Sequence, residues 1–368
     1  MRDNRYRLKD DEIEILEQYR GAKDAAEEMQ VDFDDVKHGW LKSDHASLFF
    51  KNRDFEMPEF DVNSIDFAGI AKRLNRTMGK PVQFLPERSL PALFDRVVTS
   101  DAHIGMEVNP DGVALYPAEW NREELMKRAA SLIDHVRNTQ KSSTIIWDDL
   151  GDLMDGWNAQ TTRKHHELHQ NMSNQAAFDA GLEFKVFVAT ELHKTYKRVI
   201  IHDVCEDNHA GAFGYVVNAA FKAVIDAMGL SGVEVHTFRR FMTHYDIEGY
   251  TFIITHGKDS ENLKFGFKPF VDSSQKEKID NYLDEYHLWR PGAKIEFSKG
   301  DSHLMVLDYT SSTRFNYFSY PTFAPSSTWV QHNFKNTKSG FVSFNYFKDY
   351  HSVHPHFFPD RIKDKYRH

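Results

Sequence analysis

The stretch Ser143-Thr144-Ile145-Ile146-Trp147-Asp148-Asp149-Leu150-Gly151-Asp152-Leu153-Met154-Asp155-Gly156 decides the fold. Its opening, Ser143 to Trp147, is an apolar, β-branched and aromatic run of the kind that makes a strand. A carboxylate that leaves a buried strand and meets a glycine lies at the strand's C-terminal mouth, where open α/β sheets hold ligands. Gly151 lets the backbone turn tightly beside whatever Asp152 holds. Alone, Gly-Asp-x-x-Asp is a weak signal and fits a solvated acidic turn as well. Its weight depends on the segments around it.

Outward from this strand, residue types alternate between β-like and helical runs. Phe94–Ser100 reads as a strand, Asn121–Asn138 as a helix and Ser142–Asp148 as a strand. Thr162–Leu192 reads as largely helical, with Gly181 a break point. Arg198–Val204 is a strand, Ala212–Met228 a helix, and Val233–Phe238 and Thr251–Thr255 are strands. Gln275–Trp289 is a helix and Ser302–Tyr309 a strand. The tail from Arg314 to Phe347, rich in Phe, Tyr, Ser and Thr, reads as further strands. Such alternation indicates an α/β domain packed in layers, placed at residues 93–368.

Before it, residues 1–53 read as a helical module: 9–21, Ala22–Gln30, and a third helix after the Val31–Val36 turn running through Leu41. Three short helices joined by tight turns suit either a helix-turn-helix or a helical interaction module. The third helix is not markedly basic, which weighs against DNA contact. Residues 54–92 read as a linker carrying one helix, Ser64–Met78, followed by a connector punctuated by Pro81, Pro86 and Pro91.

Composition narrows the function. The chain has 368 residues, enough to bury a sizeable core, and a net charge of -9. That balance argues against nucleic-acid binding over the whole surface and leaves room for a local basic groove. A single cysteine, Cys205, excludes a disulfide framework and a cysteine-based zinc site, and points to a reducing, cytoplasmic compartment. No apolar run approaches the roughly 20 residues needed to cross a bilayer, so no membrane association is expected. Histidine, the commonest transition-metal ligand, occurs 20 times.

Five strand ends carry metal-type ligands. They are Asp101-Ala102-His103, then Gly151-Asp152, then Asp207-Asn208-His209, then His256-Gly257, and last Gly300-Asp301-Ser302-His303. Alternate residues of an extended segment point the same way, so Asp101 and His103 can grip one ion together. Any one of these is more ordinarily a surface or capping residue; five in succession are hard to assign to chance. Mixed oxygen and nitrogen ligands suit Mn, Fe, Zn or Mg rather than thiophilic ions. Adjacent side chains diverge, so His209 cannot approach the ion that Asn208 holds in the same way. That leaves His209 for acid–base work, or as a histidine behind the ligands.

The order Asp-x-His, Gly-Asp-x-x-Asp, Asn-His, His, Gly-x-x-His over residues 93–310 resembles the calcineurin-like metallophosphoesterase superfamily. In general character the chain is similar to its nuclease and DNA-repair-exonuclease-like branch, phage-encoded phosphoesterases included. The resemblance implies an αββα sandwich, two sheets flanked by helices, with two divalent metal ions. Manganese is favoured, with Mg, Fe or Zn as options. It implies that Asp101, His103 and His303 hold one ion, that Asp152 bridges both, and that Asn208, His256 and Asp301 hold the other. His209 would assist in-line attack by a hydroxide bridging ions ~3.5–4 Å apart.

Two departures stand out. Asp207 replaces the family's usual glycine, and Ala210 stands where an acidic residue usually follows the Asn-His pair. The partner that would orient His209 is then expected from Asp155, Asp203 or Asp207. Asp301 stands where the family usually has histidine; it is either a direct oxygen ligand or a residue behind the ligands. Asp155 and Asp207 are read as supporting the ligands from behind.

On these grounds the expected activity is phosphodiester hydrolysis in nucleic acid. A phosphomonoesterase is the second option, lowered because Gly156 and Ala210 stand where the protein-phosphatase branch carries arginines. A non-catalytic metal-binding interaction module is the third. Among other features, His165 and His169 would share a helix face, more as a polar or lid surface than as ligands. Trp157 fits a cleft wall or the core. Phe315, Tyr317, Phe318, Tyr320, Phe323 and Trp329 read as sheet core rather than a base-stacking surface.

Overall fold

A computed structural model describes residues 38–42, 47–51, 66–78 and 91–359, apart from 110, 111, 113, 117, 266, 267 and 335–337. The chain divides into two compact units, Met1–Ser64 and Ile65–His368. In the first, β1 (His38–Lys42) pairs antiparallel with β2 (Ser47–Lys51), with Trp40 opposite Phe49. The third helix expected to run through Leu41 is therefore a strand over its last residues. Trp40, Leu41, Leu48, Phe49 and Phe50 favour pleated pairing over a helix. The two earlier helices, and the 54–63 linker, lie outside the described residues.

In the second unit, α1 (Phe67–Met78) packs through Ile70, Ala71 and Leu74 against the helical layer of the main body. It thus belongs to the larger unit and not to a linker. The main body then runs β3 (Phe94–Thr99), α2 (Arg122–Thr139), β4 (Thr144–Asp149), α3 (Asn174–Thr195), β5 (Arg198–Val204), α4 (Ala212–Met228) and β6 (Val233–Phe238). Strands β3 to β6 are parallel and adjacent in chain order. Right-handed crossovers advancing in one direction place all their helices on one face. Helices α2, α3 and α4 bury Leu132, Phe184, Val188, Val217 and Phe221 there, against Val97, Ile145, Trp147 and Ile201.

The sheet's other face is also apolar, and a second sheet covers it. The chain continues through β7 (Thr243–Ile247), β8 (Tyr250–Thr255), α5 (Ser273–Glu285), β9 (Lys294–Lys299), β10 (Val306–Asp308) and β11 (Asn316–Ser319). These strands form a five-stranded sheet in the order β10-β11-β9-β8-β7. After α6 (Thr328–Phe334), the antiparallel pair β12 (Gly340–Tyr346) and β13 (His351–Phe357) completes the first sheet as β13-β12-β3-β4-β5-β6. Phe94, Val98, Ile146 and Phe344 from one sheet meet Phe252, Ile254 and Phe318 from the other. Helix α5 covers the far side of the second sheet through Ile279 and Leu283, against Ile253, Ile295 and Phe297. The expected α/β two-sheet sandwich flanked by helices is the observed architecture.

Several details differ from the sequence reading, among them helix α6 (Thr328–Phe334) inside the tail expected to be all strand. Residues 162–173 are turns and isolated bridges, and the helix begins only at Asn174, where the Ser173 side chain accepts from Ala176 N. Lys164 and His165 hold left-handed backbone (φ 63° and 52°), which no helix tolerates, so His165 and His169 share no helix face. Helix α3 passes through Gly181 without a break, because the missing Cβ lets Met154 and Val217 approach. Strands β7, β9 and β13 were not anticipated. In β9, Glu296 and Ser298 mimic a solvent face yet point between the sheets. There Arg96 donates to Ser298 Oγ (2.9 Å) and Tyr346 to Glu296 Oε2 (2.6 Å).

Candidate metal centre

Parallel strands β3, β4 and β5 of one sheet, and β8 and β9 of the other, end at the same rim. Each ends in one of the expected donors. The backbone there is strained: Asp101, His103, Asp152, Asp301 and His303 all have φ between 42° and 61°. Such left-handed non-glycine residues cluster at functional sites. Gly151 (φ 97°) makes the turn before Asp152, and a Cβ on it would lie 3.1 Å from His256 Cβ.

Three overlapping groups form: Asp101, His103 and His303; His103, Asp152 and His209; and Asp101, Asp152 and His256. The donor atoms in each lie within 4.8 Å of one another. Asp152 Oδ2 is 3.1 Å from His256 Nε2, and 3.9 Å from both His103 Nε2 and His209 Nε2. Asp101 Oδ1 is 3.1 Å from His303 Nε2 and 3.8 Å from His103 Nε2. Asp101 and Asp152 are almost fully buried.

Three of the imidazoles, His256, His103 and His209, are aimed from behind. His256 Nδ1 is hydrogen-bonded to the Leu150 carbonyl (3.0 Å), which turns Nε2 to the centre. Asp155 serves two rings at once. Its Oδ1 lies 3.2 Å from His103 Nδ1 and 3.4 Å from His209 Nδ1, and its carbonyl is 3.0 Å from His209 Nδ1. Of the three aspartates expected to orient His209, Asp155 is therefore the one in contact. Asp203 instead pairs with buried Lys185 (2.5 Å), which also holds Asp149 (2.9 Å). Asp207 fixes the loops: its Oδ2 accepts from Asp152 N (3.0 Å), and its Oδ1 from Ala210 N (2.8 Å) and Gly211 N (3.3 Å). Burial and the neighbouring Asp152 lift the Asp207 carboxyl to about 7.

Electrostatics follow the geometry. Burial opposes ionisation of Asp101, yet His303, with His256 behind it, holds its carboxyl down at about 2. Burial likewise opposes a charged His256 and His209, but Asp152 beside both, and Asp155 beside His209, raise them to about 10. A divalent cation would take the place of these protons.

Buried donors confirm that a cation fits. Asn208 Oδ1 is sealed from solvent without a hydrogen-bond partner, and Asp101 Oδ1 and His256 Nε2 are sealed facing only His303 and Asp152 of the same centre. Buried polar atoms are rarely left so, and a carboxylate, an amide oxygen and an imidazole are ligands for a hard or borderline divalent ion. This buried Asp/His centre can hold a metal ion. Asp301 joins none of the three groups among the described residues and acts on His256 through its charge.

The sequence motifs include Gly300 and adjoin Ser100, but assign neither a role at the centre. A Cβ on Gly300 would lie 2.2 Å from Ser100 Oγ, 3.1 Å from His256 Nδ1 and 3.3 Å from Asp101 Oδ2. Ser100 Oγ donates to Asp101 Oδ2. A glycine immediately before a strand-end aspartate was the available signal. Trp157 meets Phe213 with rings tilted at 59° (centroids 4.6 Å apart) at the edge of the helical core. Phe315, Tyr317, Phe318, Tyr320 and Phe323 are buried core, and the Trp329 side chain lies outside the described residues. Among the described residues no helix is long and apolar enough to cross a membrane. Compared with known proteins, the chain matches no family model and no curated relative.

Proposed function

We propose that this centre binds two divalent metal ions, manganese in the first place, and that the protein hydrolyses phosphodiester bonds in nucleic acid after the manner of calcineurin-like metallophosphoesterases. The observation that carries the reading is Asp152. Asp101 and His103 also belong to two donor groups each, but Asp152 is the carboxylate whose single oxygen, Oδ2, lies between His256 (3.1 Å) on one side and His103 (3.9 Å) on the other, as a ligand shared between two ions must. Asp101, His103 and His303 would hold one ion and Asn208 and His256 the other, with Asp152 between. Bound there, the ions would neutralise charge on the phosphoryl group and activate water.

The chain's own residues supply the rest. His209 Nε2 is free to protonate the departing oxygen, because Asp155 engages Nδ1. With its side chain 22% exposed, His209 is reachable from solvent. Asp207 holds the Asp152 and Ala210–Gly211 backbones in one frame, so nucleophile, phosphorus and leaving group can be aligned.

Turnover of bis-p-nitrophenyl phosphate and p-nitrophenyl phosphate by manganese-loaded protein tests this. Diester cleavage is expected, with two ions per chain by elemental analysis. His209→Gln should lower turnover by about 10²–10⁴-fold and leave metal content unchanged. Monoester cleavage alone would favour a phosphomonoesterase, and a protein that retains no divalent ion would end the proposal.

A further inference from the structure

The donors of the second proposed ion come from different sheets. Asn208 follows β5 of the six-stranded sheet and His256 follows β8 of the five-stranded one. Hydrogen bonding within a sheet fixes each donor in its own layer, and beyond the rim it does not fix the gap between the two segments. A strap of residues crosses that gap. Thr162 N and Oγ1 donate to the His209 carbonyl (2.8 and 3.1 Å), and Arg163 N donates to the Asn208 carbonyl (3.0 Å). Thr162 also lies against Gly211 (φ 50°), where a Cβ would come within 2.7 Å of its Cγ2. The Arg163 backbone is thus fastened to the segment that carries the Asn-His pair.

Its side chain is fastened to the loop that follows His256. Nη1 donates to Asp259 Oδ1 (3.0 Å), to the Asp259 carbonyl (3.0 Å) and to the Leu263 carbonyl (3.3 Å), and Nη2 donates to the Asn262 carbonyl (3.3 Å). Those acceptors are held ready. Asp259 Oδ1 also accepts from Glu261 N (3.0 Å) and Leu263 N (2.9 Å), which closes the loop on itself. Ser260 N donates to the Glu206 carbonyl (2.9 Å), so the two segments also meet directly, two residues before Asn208. The Arg163 side chain is 11% exposed and that of Asp259 19%. A planar guanidinium offers several donors in a rigid fork, which a lysine ammonium does not. An arginine beside a phosphoesterase centre is ordinarily read as a phosphate ligand; this one has both terminal nitrogens committed to the protein.

We propose that Arg163 is a positioning residue: held to the Asn208–His209 segment by its backbone and to the Asp259–Leu263 loop by its guanidinium, it sets the separation at which Asn208 and His256 face one ion. This rests on the two-ion phosphodiesterase reading and adds to it the residue that keeps the second ion's ligands in register. None of the Arg163 hydrogen bonds goes to Asp101, His103 or His303, the donors of the first ion. Its loss should therefore fall on one ion and not on both.

The test combines manganese binding, amide hydrogen exchange and turnover on the full chain. In Arg163→Ala, isothermal titration should show the second manganese weakened by about 10- to 100-fold and the first unchanged. Arg163→Lys, which keeps the charge and loses the fork, should behave like the alanine variant, and free guanidinium should restore part of the lost affinity to Arg163→Ala. Without metal, exchange should quicken in segments 206–211 and 257–265 together, with strands β3 to β6 protected as in the parent. Turnover of bis-p-nitrophenyl phosphate should fall, while inhibition by inorganic phosphate at saturating manganese stays the same. Should Arg163→Ala fail to fold, Asp259→Asn gives the same readouts, since it keeps an oxygen for Glu261 N and Leu263 N and removes only the charge. Both ions held as in the parent, with exchange unchanged in the two segments, would overturn the inference and leave the phosphodiesterase reading intact. Weaker phosphate inhibition with both ions retained would also overturn it, by making Arg163 a substrate ligand. Segments that loosen together in a protein that binds no manganese or cleaves no diester would sink the hydrolase reading and leave the join standing.

Discussion

At the residue scale, the centre depends on what Gly151 leaves out and on what Asp155 holds. Gly151 combines φ 97° with His256 at 3.1 Å, so Gly151→Ala meets both backbone strain and a collision with a metal-facing imidazole. A destabilisation of about 1–3 kcal/mol is expected from the backbone alone. Displacement of His256 should also weaken manganese binding by about 10- to 100-fold, which isothermal titration would measure; unaltered affinity would show that the turn is not what places His256. Asp155 makes a second such case, because one carboxylate oxygen reaches both His103 and His209. Asp155→Asn should impair metal affinity and turnover together, since it disturbs a ligand and the acid–base residue at once. A loss of turnover with metal affinity untouched would mean that only His209 depends on it.

At the scale of elements, buried charges stitch strands and helices together. Lys185 on α3 is sealed between Asp149 at the end of β4 and Asp203 on β5, and its ammonium lies 5.2 Å from the Trp147 ring. Lys185→Met leaves two carboxylates buried without their cation, which should cost about 3–5 kcal/mol in chemical denaturation. If stability is unchanged, water reaches the aspartates and the triad is not the clamp proposed. Glu296 on β9 gives a pH signature. Burial lifts its carboxyl to about 7 against the pull of Arg96 and the Tyr346 hydrogen bond. His351, 3.2 Å away and held at about 4 by burial, stays neutral in the same window. Between pH 4.5 and 7 the folded protein keeps a proton on Glu296 that the unfolded chain has released. Its contribution to stability is therefore present at low pH and is lost as pH rises through 7. Glu296→Gln should gain stability relative to the parent between pH 5 and pH 8; an offset that does not change with pH would refute this.

For the whole molecule, every candidate ligand lies in the unit Ile65–His368. A fragment of residues 65–368 should therefore bind manganese with the stoichiometry of the full chain and unfold cooperatively. Metal that binds only the folded state should raise the melting temperature of both, by an amount that grows with its concentration. Loss of binding in the fragment would assign part of the centre to the first 64 residues.

The reach of the sequence varied with the range of the interactions concerned. Periodicity is local, so the strand–helix alternation from Phe94 to Phe238 and the donor at each strand end were legible, with Arg198–Val204 and Ala212–Met228 matching residue for residue. Residues 162–173 misled because polar, histidine-rich sequence is compatible with a helix until the loop is bonded to Asn208 and His209. Glu296 and Ser298 hid β9 because their partners, Tyr346 and Arg96, lie far off in the chain.

By itself, then, the sequence determined the layered α/β class and which residues carry oxygen and nitrogen donors, since both follow from residue type and spacing. Tertiary structure alone decided which donors face one another, that Asp155 serves two histidines, and that Arg163 joins the segment carrying Asn208 to the loop after His256. Those are contacts between segments tens to hundreds of residues apart, and they exist only once two sheets stack in one register and bring the ends of their parallel strands to a common rim.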